Sequence, residues 1–210
     1  MIVREDIGSF VNSIPEKVQL VAATKYVDAI EIDKLYKAGI KDYGENRTDS
    51  FLMKYEQLSD HKDIKWHFIG HLQRNKCKDI INKIDYLHSL DSLELASLIQ
   101  KYRTTPLDTF IEVSINLEEN KNGVPYYELK EFVKSLEQYD KIHLVGLMMM
   151  SVKESDDKDN QFRKLADLKK EIEKSLNIKI PYLSMGMSDD YLLAIKEGAT
   201  HIRLGRILFK

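Results

Sequence analysis

Lys25 carries the clearest chemical signal in this sequence. It follows Gln19 to Thr24, in which Leu20, Val21, Ala22 and Ala23 form an apolar run without alternation. Such a run is expected of a parallel strand covered on both faces. A lysine at the carboxyl end of that strand stands where α/β proteins keep their chemistry. The plainer alternative is that Lys25 only marks the strand leaving the core, with its amine in water. Two glycine-containing turns near the C-terminus offer a second function. In Ser184-Met185-Gly186-Met187-Ser188, the last hydroxyl lies ahead of a helix start, and Gly205 lets backbone approach a ligand closely. Together they form a candidate phosphate site. A cap role for Ser188 and a turn role for Gly186 account for the same letters, and Asp189 and Asp190 would repel a dianion unless turned outward. An amine beside a phosphate site suits a phosphorylated aldehyde held as a Schiff base. Arg203, just before Gly205, is placed to reach the same pocket.

These residues need a scaffold that brings both ends of the chain together. Eight segments read as strands: Gln19 to Tyr26, Asp42 to Gly44, Trp66 to Gly70, Tyr86 to Ser89, Thr109 to Ile115, Ile142 to Met148, Pro181 to Ser184 and Thr200 to Leu204. Between them lie amphipathic stretches, one capped by Asp28 and stopped by Gly39, another opened by Asn46, and others at Cys77–Ile84, Leu93–Ile99, Tyr126–Leu136, Phe162–Leu176 and Tyr191–Lys196. Eight β-then-α units predict a single closed (β/α)8 TIM barrel, one domain over residues 1–210, rather than an open doubly wound sheet. Val3, Ile7, Phe10, Val11 and Ile14 predict an N-terminal helix from Ile2 to Ile14 that covers the place of a truncated eighth helix. In a barrel the strand ends meet at one mouth, which gathers Lys25, Gly44 to Arg47, His67, His71, Asn116, Glu118, Lys121, Met148 to Met150, Arg203, Gly205 and Arg206.

Composition removes several function classes. The 32 basic and 34 acidic residues give a net charge of -2, so no global bias points to nucleic acid or an anionic membrane. A single cysteine, Cys77, forms no internal disulfide and reads as a buried helix residue. No apolar run approaches the roughly 20 residues of a membrane span, and the acidic start M-I-V-R-E-D is unlike a signal peptide. The expectation is a soluble cytoplasmic protein. His67 and His71 lack a third ligand nearby, so no metal site is expected.

The motifs V-A-A-T-K at 21–25, Y-G-E-N-R at 43–47, W-H-F-I-G-H-L-Q-R-N-K at 66–76 and L-D-S at 90–92 resemble the pyridoxal phosphate homeostasis protein family. V-S-I-N-L-E-E-N-K-N-G-V at 113–124, G-L-M at 146–148, S-M-G-M-S-D-D at 184–190 and G-A-T-H-I-R-L-G at 198–205 continue the match in family order. The resemblance implies a fold-type III barrel like that of alanine racemase, binding pyridoxal 5'-phosphate as a Schiff base on Lys25. It implies a role in intracellular cofactor homeostasis without catalytic turnover, and therefore no catalytic residues. Carried over, it places Arg203 at the pyridine nitrogen, Ser188 and the Gly205 amide at the phosphate, Met185, Gly186 and Met187 in the phosphate loop, and Asn46 and His67 in the pocket. It also implies a monomer that meets pyridoxal-phosphate-dependent client enzymes transiently. One departure concerns the site: Arg206 stands where the family commonly has a small hydroxyl residue, and direct contact with the phosphate is expected of it, the alternative being a side chain turned outward that leaves the backbone amide alone at the ligand. The alternatives are an amino-acid racemase or related fold-type III enzyme, and a scaffold that has lost its cofactor.

Overall fold

Short apolar segments that cannot stay in water are covered here by closing on themselves. The computed structural model describes residues 1–116, 122–151 and 157–210. Glu118 and Lys121, singled out from the sequence, lie outside them. The strands are β1 (Gln19–Ala23), β2 (Asp42–Glu45), β3 (Lys65–Phe68), β4 (Tyr86–Leu90), β5 (Leu107–Ser114), β6 (Val124–Pro125), β7 (Ile142–Met148), β8 (Tyr182–Ser184) and β9 (His201–Leu204). Parallel pairing runs β4-β3-β2-β1-β9-β8-β7-β5, and a β4–β5 pairing closes the ring. The two-residue β6 pairs with β5 outside the ring and was not expected. The eight-stranded (β/α)8 barrel is therefore as the sequence predicts.

Helices α1 (Ile7–Ser13), α2 (Ala29–Lys37), α3 (Thr48–Gln57), α4 (Cys77–Ile80), α5 (Leu93–Tyr102), α6 (Leu129–Ser135), α7 (Lys158–Leu176) and α8 (Tyr191–Lys196) accompany the strands. Asp28 caps α2 by accepting the Glu31 N–H at 3.0 Å, as its position before an apolar-periodic stretch requires. Four helix starts differ from expectation: α6 begins at Leu129 rather than Tyr126, α7 at Lys158 rather than Phe162, and α1 and α3 start later than expected. Val3 forms an antiparallel bridge with Phe209, Ile2 and Lys210 exchange backbone hydrogen bonds, and the Arg4 N–H donates to the Leu208 carbonyl, so α1 begins only after Asp6. Asn46 does not open α3, which starts at Thr48. Phe10 of α1 meets Tyr191 of α8 edge-on at 6.2 Å, which puts the N-terminal helix beside the C-terminal units.

The barrel interior holds aromatic rings rather than aliphatic layers. His67 stacks on Tyr86 at 4.4 Å, His88 on Phe110 at 4.2 Å, and His201 meets Phe110 and Tyr182 edge-on. Phe110 fits because β7 has Gly146 opposite; a Cβ there would lie 2.3 Å from its ring. Gly146→Ala should destabilise the protein by about 1–3 kcal/mol through overpacking. Phe110→Leu in the same chain should recover part of that loss in a denaturant-unfolding double-mutant cycle, whereas strictly additive effects would contradict direct contact.

Candidate functional site

The end of β1 is held by a buried charge pair. Lys54 of α3 and Glu45 of β2 are 1% and 0% exposed and lie 2.6 Å apart. Lys54 Nζ also donates to the Thr24 carbonyl at 2.6 Å, the Thr24 hydroxyl donates to Glu45 at 2.6 Å, and Ser50 donates to the second carboxylate oxygen at 3.1 Å. The residue before Lys25 is thus fixed by its carbonyl and by its side chain. Removing one member of such a pair strands the other charge, a loss of about 3–5 kcal/mol in comparable cases.

Beyond this clamp a cavity of about 710 Å³ opens at the carboxyl ends of the strands. Lys25, Asn46, Met187, Ser188, Arg203, Gly205 and Arg206 all line it, so the structure gathers seven residues that the sequence assigned to one site. Lys25 is exposed, makes no hydrogen bond or ion pair among the described residues, and lies with Nζ 4.5 Å from the centre of the Tyr26 ring. Asn46 Oδ1 is buried without a hydrogen-bond partner. Its backbone is packed against the turn after β3, where a Cβ on Gly70 would come within 2.4 Å of the Asn46 carbonyl oxygen.

Ser188 is not a helix cap. The cap position of α8 is held by Asp190, whose carboxylate accepts the Met187 N–H at 2.6 Å and the Ser151 hydroxyl at 2.5 Å. Ser188 Oγ turns instead to the loop after β9 and accepts the N–H groups of Gly205 and Ile207, each at 3.3 Å. Two backbone donors converging on one oxygen make a small anion cradle. Arg206 stands at its rim, ion-paired to Asp189, both side chains exposed.

Arg203, expected beside the ligand, is 5% exposed and is held from behind. It donates to Ser184 Oγ at 2.6 Å and to the Met149 carbonyl at 2.8 Å. Because arginine only donates, the Ser184 hydroxyl hydrogen is left for His88 Nδ1 at 2.8 Å. His88 Nε2–H then donates to His67 Nδ1 at 2.8 Å, and His67 Nε2–H to Asp42 at 2.9 Å. Gln19 donates to the other Asp42 oxygen at 2.6 Å. Burial holds the His88 ring well below its usual value of 6.5, so it stays neutral, as this order of donors requires. His67 thus belongs to the barrel interior and does not line the cavity. Met185 is fully buried and packs in the core, and Gly186 is the left-handed turn residue (φ 92°) that lets the loop fold against Ala194.

Three residues with evident roles were not singled out from the sequence, Lys54, His88 and Glu112, and neither was Asn122, which lines the cavity. Glu112 of β5 is 4% exposed, lines the cavity and makes no hydrogen bond or ion pair among the described residues. An acidic residue inside the apolar run F-I-E-V was a readable signal for it. Burial, reinforced by Asp91 and opposed by Arg203 and His71, pushes its carboxyl up to about 7 from 4.5. The folded state therefore favours the protonated form, and stability falls as pH rises from the unfolded value through about 7. Glu112→Gln should melt at a higher temperature than the parent at pH 8, by up to about 3 kcal/mol in stability, and alike at pH 4. An equal difference at both pH values would contradict this reading.

Comparison with known proteins agrees with this geometry. The alanine racemase N-terminal domain family matches residues 3–210. Pyridoxal phosphate homeostasis proteins from Aquifex aeolicus and Synechocystis are 42% and 37% identical, over 91% and 96% of this chain and 86% and 95% of theirs. PipY from Synechococcus elongatus superposes with a TM-score of 0.93 without PLP and 0.91 with PLP bound, at 31% and 30% identity, covering 98% of this chain and 99% of that one in each case. Alanine racemase from Clostridium difficile, 16% identical, shares the fold with a TM-score of 0.79 over 98% of this chain and 57% of its own. At this level of identity and coverage, the chain belongs to the pyridoxal phosphate homeostasis protein family.

Proposed function

We propose that this protein binds pyridoxal 5'-phosphate on Lys25 and serves its supply and storage in the cytoplasm, without catalytic turnover. The observation that carries the reading is the shared cavity: an unpaired amine, an anion cradle and a guanidinium converge where a phosphorylated aldehyde would lie. The orphaned Asn46 oxygen fits as well, since a buried polar atom without a partner inside a cavity is one a ligand can satisfy. Lys25 would hold the aldehyde as a Schiff base, Ser188 and the Gly205 amide the phosphate, and Arg203 the ring nitrogen. Met187 lines the phosphate loop, while Met185, Gly186 and His67 support it from behind. The names of the relatives and the PLP-bound PipY structure support the same ligand.

Arg203 keeps its own proton and only donates, so a pyridine nitrogen facing it stays unprotonated and the ring is a weak electron sink. A racemase also needs a second proton-transfer group, for which tyrosine is the natural candidate. Tyr43 is fully buried and donates to the Ile40 carbonyl at 2.7 Å, and Lys25 meets the ring face of Tyr26 on the exposed rim. Among the described residues no helix is long and apolar enough to cross a membrane, and no group of three or more His, Cys, Asp or Glu is arranged for a metal. A monomer that hands its cofactor to client enzymes completes the proposal.

Reconstitution with pyridoxal phosphate should give a Schiff-base absorption band that Lys25→Ala lacks; a full band in the variant would remove Lys25 from this role. The phosphate groups are tested by comparing pyridoxal phosphate with unphosphorylated pyridoxal. Ser188→Ala should cut the preference for the phosphorylated form between about tenfold and a hundredfold, beyond the cofactor-free destabilisation of about 1 kcal/mol expected from leaving the Gly205 and Ile207 N–H groups without their acceptor. Arg206→Thr should shrink the same preference if Arg206 leaves Asp189 for the phosphate, and an unchanged ratio would put it outside the site.

A further inference from the structure

The cavity is large for one substituted pyridine, since pockets for drug-sized ligands span roughly 300–1,000 Å³ and this one is about 710 Å³. Asp189 and Asp190, which also line it, are engaged by Arg206 and by the Met187 N–H and Ser151 hydroxyl, and the remaining polar groups divide between two sides. The donors (Arg203, Arg206 and the Gly205 and Ile207 amides) stand at β9 and the loop after it, with Ser188. Glu112 stands on β5, and Asp91 follows β4 next to it. Around the ring β5 is four strands from β1 in either direction, so Glu112 faces the Lys25 side from directly across the barrel.

Glu112 is buried, lines the cavity and has no hydrogen-bond or ion-pair partner among the described residues. Lys25 is unpaired among the described residues but stands across the barrel, just after β1, and the other cationic side chains of the cavity are engaged elsewhere. His71 is bonded to Asp91 at 3.1 Å, Lys158 lies 3.9 Å from Asp190, Arg206 is paired with Asp189, and Arg203 donates to Ser184 and the Met149 carbonyl. A carboxyl group left in this state is matched by a donor that arrives with a ligand. A free cation would serve, and a second carboxylate would be repelled by both Glu112 and Asp91.

We propose that Glu112 forms a subsite for the ammonium group of a primary alkylamine, and that the cavity prefers such amines to α-amino acids. The subsite stands on the geometry of the cavity. Its biological sense, an amine kept within reach of the aldehyde on Lys25, rests on the reading given above.

The test uses the cofactor-free protein at pH 8 in inorganic phosphate, which engages the anion cradle. Propylamine and 2-aminobutyrate, which differ by one carboxylate, are titrated while the side-chain carboxyl of Glu112 is followed by carbon NMR, its signal identified by its loss in Glu112→Gln. Propylamine should bind at least about tenfold more tightly than 2-aminobutyrate. Glu112→Gln, followed through the Asn122 amide, should lose that preference, and Glu112→Asp should keep part of it. Equal affinities in the parent protein, or a preference unchanged in Glu112→Gln, would overturn the subsite. Pyridoxal phosphate retention is measured on the same samples. A parent protein that retains the cofactor but does not discriminate between the amines refutes the subsite alone. One that discriminates but retains no cofactor refutes the functional reading alone.

Discussion

A guanidinium taken from water into a protein interior costs several kcal/mol unless its donors are met in fixed geometry. Arg203 is in that position, and burial lowers it to about 10 from 12.5, still charged at neutral pH. Its compensation runs through the barrel: Ser184, His88, His67 and Asp42 pass hydrogen bonds in one direction from a cation to a carboxylate. Each member has one arrangement of donor and acceptor that satisfies its neighbours, so the line sets the orientation of the guanidinium at the mouth. The aromatic rings packed on His67 and His88 leave those imidazoles no room to turn. The Glu45–Lys54 pair does the same for β1, fixing Thr24 so that only the side chain of Lys25 is free to move.

The site therefore has a rigid back and an open front. Behind the mouth the Glu45–Lys54 pair and Arg203 are buried and held by fixed hydrogen bonds. At the mouth an exposed lysine, an unpartnered asparagine oxygen, a serine with two amides and an unpaired glutamate await a ligand. Such an arrangement needs little reorganisation to bind, which favours retention of a cofactor. It offers little to exclude water, and electrostatic catalysis depends on that exclusion.

The barrel was legible because parallel strands covered on both faces appear as short apolar runs, and Leu20 to Ala23 or Leu144 to Met148 announce themselves. Lys25 was legible because it ends such a run, and Ser188 and Arg203 because they lie in or beside the glycine-containing turns of the last two loops. Helix starts were less so: the spacing of Val3 suits a helix, but its backbone is claimed by Phe209 from the far end of the chain. The polar line was hidden for the same reason. His67 and His88 are 21 residues apart and His88 and Ser184 are 96 apart, so no local pattern joins them. His67 carried a family signature that suggested the pocket, and only the three-dimensional arrangement assigns it to the layer beneath. Lys54 is a charge on the inward face of its helix, and Glu112 a charge inside a buried strand. Both break the local pattern, and such breaks mark positions where function or a buried pair overrides burial preference.

The account turns on one covalent attachment point, and borohydride reduction of the protein loaded with pyridoxal phosphate, followed by peptide mapping, locates it. A single pyridoxyl group on Lys25, in near-equal amount to protein, is the result the proposal predicts. Label on another lysine, or spread over several exposed ones with Lys25 unmodified, would contradict it.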